Sequence, residues 1–144
     1  MSDPLYKKDL LRLAADATGS GRLAVPCGTG VVHNPACGDK VTVDIALEDG
    51  RIAAIAHDTK ACVLTQASAS ILGAGAAGMN REEVAQLHVA VTGMLAGGDA
   101  PDAPFETYCA FDGVTDHAAR HKCVLLPIEA VLAAFDALPP PQSI

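Results

Sequence analysis

The chain has 144 residues, half of them apolar, with 10 Lys and Arg against 17 Asp and Glu for a formal net charge of −7. That length and apolar content suit one domain with a core of its own. The acidic balance and scarcity of aromatics (no Trp, two Tyr, three Phe) leave neither the basic footprint nor the stacking platform of a nucleic-acid binder.

No apolar run reaches the ~18 residues of a membrane span. Met1-Ser2-Asp3-Pro4 also lacks the basic-then-apolar start of a secretory signal. A cytoplasmic protein with no membrane and no nucleic-acid partner is therefore expected. Residues 1–138 form the expected single domain, and 139–144 a loose tail behind Pro139-Pro140-Pro141.

In chain order, Leu5, Leu10, Leu11 and Leu13 lie among charges over residues 3–17, the pattern of a short amphipathic helix. Gly19, Gly21 and Pro26 end it. Residues 28–33 suit a short edge strand. Over 41–48 apolar Val41, Val43, Ile45 and Leu47 alternate with Thr42, Asp44, Ala46 and Glu48, the two-residue period of a half-buried strand.

Asp49-Gly50 predicts a two-residue type I′ turn, with a return strand from Arg51 toward Thr59. Residues 62–72 read as a helix with a small-residue face. Asn80 with Glu83 three positions later is a capping signature. Helical spacing then runs through Val84, Leu87, His88, Val91, Met94 and Leu95 to Gly97-Gly98. After a loop at 97–104, a last helix carries Val124, Ile128, Val131, Phe135 and Leu138 on one stripe, with Pro127 in its first turn. The expected fold class is α+β: a three-stranded antiparallel sheet with helices packed on one face.

Five cysteines are an odd number for a disulfide framework in a chain read as cytosolic. A two-residue turn at Asp49-Gly50 opposes Glu48 to Arg51, Leu47 to Ile52, Ile45 to Ala54 and Val43 to Ala56. Continued to the open end, it opposes Asp39 to Lys60 and Cys37 to Cys62. Opposed Cα atoms lie ~4.5–5.5 Å apart, so Cys37, Asp39 and Cys62 are expected to converge. Two thiolates at that distance can share a tetrahedral metal ion; a disulfide and two buried inert thiols are the alternatives. Cys123, placed just ahead of the last helix, is the third candidate. Like Cys62 at the start of its own helix, it gains acidity from a helix N-terminus. Cys27 and Cys109 have no partner pattern.

Asn34-Pro35-Ala36-Cys37-Gly38-Asp39 resembles the signature of the U-type iron–sulfur cluster assembly scaffolds, the IscU, SufU and NifU amino-terminal group. Cys62 followed by Ala67-Ser68-Ala69-Ser70, and Arg120-x-x-Cys123 followed by Leu125, continue the likeness over roughly residues 28–138. The resemblance implies the SufE/NifU-like fold. It implies that Cys37, Asp39, Cys62 and Cys123 hold zinc, iron or a transient [2Fe–2S] cluster. It also implies that sulfur comes from a cysteine desulfurase, with Cys123 or Cys62 as acceptor, and that the cluster passes to apo iron–sulfur proteins.

The long Cys62–Cys123 spacing resembles SufU-type members. Lys122 stands where IscU-like members have His, so His121 is a reserve ligand. Ala61 replaces a common Gly, and AADATGSGRLA replaces the usual amino-terminal helix motif. The function expected is a non-enzymatic scaffold. The alternatives are a zinc-dependent sulfurtransferase that activates a SufS-type desulfurase, and a binding module with purely structural zinc.

Other signals carry less. GAGAAG at 73–78 matches G-x-G-x-x-G but follows a predicted helix rather than a strand, so a flexible interhelical loop is expected. His117 and His121 are four apart but Ala118 replaces the Glu of HExxH. His88 reads as a core histidine, and Ser68 and Ser70 as helix-packing residues.

Overall fold

Asp49 and Gly50 adopt φ of 55° and 78°, the two positive values a type I′ turn requires, and the strands they join pair antiparallel from Glu48–Arg51 and Leu47–Ile52 onward. The structure, a computed structural model, describes residues 8–24, 26–34, 38–102 and 105–137, and of Asp112 the backbone alone. The elements are α1 (Lys8–Asp16), β1 (Gly28–Asn34), β2 (Asp39–Glu48), β3 (Arg51–Lys60), α2 (Val63–Gly75), α3 (Arg81–Leu95), a 3₁₀ helix (Glu106–Val114) and α4 (Ala118–Asp136). The sheet is antiparallel in the order β1-β2-β3. Packing is as expected: α4 lies on β1 and β2, α2 on β3, and α1 and α3 pack against α2 and α4. No helix among the described residues is long and apolar enough to cross a membrane.

The hairpin departs from its predicted register after two pairs. Glu48 opposes Arg51 and Leu47 opposes Ile52, but Ala53 is extra, and from there Ala46 opposes Ala54, Ile45 opposes Ile55, Val43 opposes His57 and Lys40 opposes Lys60. The cause lies in the return strand, where Ile52 and Ile55 are three residues apart. A strict period of two would send them to opposite faces, and the bulge brings both to the helix-covered side. Arg51 also finds another partner, because its guanidinium donates to Glu83 (2.6 Å) and to the Gly78 carbonyl (2.7 Å).

The buried cluster joins Val41, Val43 and Ile45 of β2 to Leu64 and Leu72 of α2, Val84 and Val91 of α3, and Val124, Ile128 and Val131 of α4. Close approach is set by glycine at two points. A Cβ on Gly30 would run into the Ala130 carbonyl and Ala134 amide of α4, and one on Gly73 into the Thr18 carbonyl. The chain after α1 is thereby laid on α2, where Thr18 N–H donates to Ser70 Oγ at 3.1 Å. It also pairs with the free edge of β3 through Gly21 N–H to the His57 carbonyl (2.8 Å) and His57 N–H to the Gly19 carbonyl (2.9 Å).

Several expectations are corrected. The first two glycines of GAGAAG belong to α2, and the turn after them is pinned to β3 by Gly78 N–H to the Ile52 carbonyl (2.7 Å) and Ile52 N–H to the Met79 carbonyl (2.9 Å). His88 is half-buried at the α3–α4 edge, 3.1 Å from Glu129. The last helix starts at Ala118, because Ala118-Ala119-Arg120-His121-Lys122 extends it toward the N-terminus. Pro127 is therefore interior, and Cys123 lies in the second turn instead of ahead of the helix. The Asn80–Glu83 capping box forms in full. The 3₁₀ helix was not foreseen. The tail at 139–144 lies outside the described residues.

Candidate metal and sulfur site

β2 begins at Asp39, α2 begins just after Cys62, and Cys123 lies in α4, which packs against both elements. One ligand atom from each of Asp39, Cys62 and Cys123 lies within 4.8 Å of the others. Cys123 is 1 % exposed and Asp39 5 % exposed, whereas Cys62 is half-buried and is the member that solvent reaches. Cys37, the fourth expected ligand, lies outside the described residues, so its predicted pairing with Cys62 does too. The bulge changes how Asp39 arrives: it no longer opposes Lys60 and meets the turn into α2 instead.

Cys62 is the N-cap of α2, with extended backbone (φ −68°, ψ 169°) and no cap bond from its own side chain. Its amide donates instead to Asp39 Oδ1 at 3.3 Å. Thr65, third residue of the helix and 0 % exposed, donates its hydroxyl to Asp39 Oδ2 at 3.1 Å and lies 3.5 Å from Cys62 Sγ. A carboxylate from the sheet thus does the work that the third helical residue does in an ordinary capping box.

The Cys62 thiol is pulled from its ordinary 9 down to about 6. The largest cause is its hydrogen bond with Cys123, supplemented by the Thr65 amide; burial and the Asp39 charge oppose the shift. The shift favours the Cys62 thiolate, with Cys123 as the donor. Cys123 lies beyond the first turn of α4, where the effect of a helix dipole has faded. Pro127, four residues on, withholds the amide that would bond the Cys123 carbonyl.

Near this end of the sheet, His33 opposes Lys40 and Lys40 opposes Lys60 across all three strands. That exposed basic row stands out in a chain of charge −7. His121 is not part of the cluster: its Nε2 lies 3.1 Å from the carbonyls of Val114 and Thr115, to which it donates. Cys27 and Cys109 are exposed and are not members of the group. Thr65 was missed by sequence reasoning, although a hydroxyl residue three positions after a cysteine that starts a helix was the available signal.

Two soft thiolates and a hard carboxylate within one ion's reach suit zinc or iron and, with a further thiolate, an iron–sulfur cluster. Behind them, Ser68 donates to the Val124 carbonyl (2.6 Å) and accepts from the buried Tyr108 hydroxyl (2.8 Å), locking α2 to α4 next to Cys123.

The NifU-like N terminal domain family matches residues 5–122. The iron–sulfur cluster assembly scaffold protein IscU of Thermotoga maritima is 26 % identical over 137 residues, 95 % of this chain and 96 % of that protein. The crystal structure of a nitrogen-fixing NifU-like protein (N-terminal) from Brucella abortus superposes with a TM-score of 0.88 at 34 % identity, covering 94 % of this chain and 95 % of that one. The SufU protein of Fervidobacterium islandicum AW-1 has the same fold, with a TM-score of 0.83 at 20 % identity over 94 % of this chain and 99 % of that one.

Proposed function

The chain belongs to the NifU-like N-terminal domain family, and from that premise we propose that it is an iron–sulfur cluster assembly scaffold whose cargo is held by Asp39, Cys62 and Cys123 together with Cys37. The observation that carries this reading is the convergence of the Asp39 carboxylate with the Cys62 and Cys123 thiols within 4.8 Å. Three thiolates and one carboxylate supply the four terminal positions of a [2Fe–2S] cluster. A single hard oxygen among soft sulfurs weakens one position, as suits a cluster that must leave.

Sulfur enters by exchange at Cys62, the more exposed of the two described thiols and the one that starts a helix. Its thiolate attacks the terminal sulfur of a persulfide on a cysteine desulfurase. The donor's S–S bond breaks, the donor cysteine leaves as thiolate, and the sulfane sulfur stays on Cys62 without net oxidation. Converting it to sulfide takes two electrons from a separate reductant. Apo iron–sulfur proteins are the recipients of the finished cluster. A reducing compartment, the cytosol, suits the four described cysteines, which carry thiols. The scaffold domain spans residues 1–138.

The same donors also fit one zinc ion. That observation favours the second reading, a zinc-holding sulfur acceptor that stimulates the desulfurase. Incubation with a desulfurase and cysteine, followed by mass spectrometry of the alkylated peptides, tests sulfur acceptance. One added sulfur on the Cys62 peptide is expected; sulfur on Cys27 or Cys109 alone would refute the assignment.

A further inference from the structure

Asp39 is buried, and both of its oxygens are taken, one by the Cys62 amide at 3.3 Å and the other by the Thr65 hydroxyl at 3.1 Å. Two donors on two different oxygens fix the plane of a carboxylate; one donor leaves it free to turn about its χ2. The Cys62 amide is part of the backbone and present whatever the side chains, so the plane of Asp39 depends on Thr65. The same hydroxyl touches Cys62 Sγ at 3.5 Å, so one buried group contacts two of the three converging side chains and is itself no ligand.

Resting on the cargo-site reading above, we infer that Thr65 is a positioning residue that presents Asp39 to the metal or cluster. Partners that orient a ligand in this way contribute to affinity as the ligands themselves do, and their loss typically costs 10–100-fold. The hydroxyl is the part of Thr65 that matters. Valine has nearly its shape, fills the same buried space, and leaves Asp39 Oδ2 without a donor.

The test uses the full chain with zinc alone as the probe, titrated against a chromophoric chelator in wild type, Thr65→Val, Thr65→Ser, Asp39→Ala and the Asp39→Ala/Thr65→Val double variant. Thr65→Val is expected to weaken zinc binding about 10-fold. Thr65→Ser should restore it, and the valine should have no further effect once Asp39 is gone. With cobalt in place of zinc, Thr65→Val should change the visible ligand-field spectrum and Thr65→Ser should not.

Wild-type affinity in Thr65→Val, beside a weakened Asp39→Ala, overturns the role of Thr65 and leaves the cargo site standing. An equal loss in the Asp39→Ala background overturns it as well, since Thr65 would then act by packing. If the wild type takes up no zinc while binding no cluster, the site reading fails and this inference with it. Circular dichroism reports folding. Should Thr65→Val not fold, Thr65→Ala replaces it and Thr65→Ser must still recover what alanine loses.

Discussion

The amide of Cys62 donates to Asp39 Oδ1 at 3.3 Å, so the carboxylate that faces the two thiols is also the cap of α2. One side chain here both faces the thiols and caps a helix. Removing it should therefore be felt without any metal.

Asp39→Ala should destabilise the metal-free protein by about 1–2 kcal/mol, the usual value of a lost N-cap together with a stranded buried hydroxyl. Asp39→Asn keeps an acceptor for the Cys62 amide and should lose less. Urea unfolding with added chelator measures both, and equal stability of Asp39→Ala and wild type would mean that Asp39 does not cap the helix.

Two glycine substitutions should act in opposite directions. Gly30→Ala drives a methyl into the backbone of α4 and should cost about 1–3 kcal/mol through overpacking. Gly93 lies in α3 with open space where a Cβ would sit, and Gly93→Ala should add about 0.5–1 kcal/mol. The sign of each shift in thermal midpoint is the check.

Two buried groups set the response to acid. His57 is pushed below its ordinary 6.5 chiefly by burial, against the pull of the Thr18 carbonyl. That carbonyl, 2.8 Å away, accepts from Nε2, and in the neutral ring that burial favours, Nδ1 accepts from the Thr59 hydroxyl at 2.9 Å. The unfolded chain takes a proton at about 6.5 while the native chain refuses it. Stability should thus begin to fall as pH drops below that value, and go on falling until the folded ring titrates too.

Asp44, 0 % exposed, is held below the usual carboxylate range first by its hydrogen bond from Arg22, then by Thr29 and the Leu23 amide, against the cost of burial. Its contribution is complete above the unfolded value near 4 and is lost as pH falls through the depressed native one. Nuclear magnetic resonance titration of the His57 ring is the direct check of the histidine prediction, which a midpoint at or above 6.5 would contradict, and an Asp44 midpoint at or above about 4 would contradict the carboxylate one.

Much of this was legible because local chemistry and tertiary structure agree. Asp49-Gly50 names its turn, Asn80 and Glu83 name a helix start, and the alternation from Val41 to Leu47 names a buried face. The bulge was also written in the sequence, in the three-residue spacing of Ile52 and Ile55, but a strict two-residue period hides it. Cys123 was misplaced because Pro127 suggests a helix start, whereas α4 accommodates it in mid-helix. The sequence offers a hydroxyl three residues after Cys62, but the partner of Thr65 is Asp39, 26 positions away, and only tertiary structure discloses that link.

The central claim is that one site gathers the cargo. Iron, zinc and acid-labile sulfide measured per chain in anaerobically purified protein, for wild type and for single Cys→Ser variants at positions 27, 62, 109 and 123, test it most directly. The account predicts bound zinc or matched iron and sulfide in wild type, retained in Cys27→Ser and Cys109→Ser and lost in Cys62→Ser and Cys123→Ser. Metal and sulfide that persist unchanged in both Cys62→Ser and Cys123→Ser would contradict it.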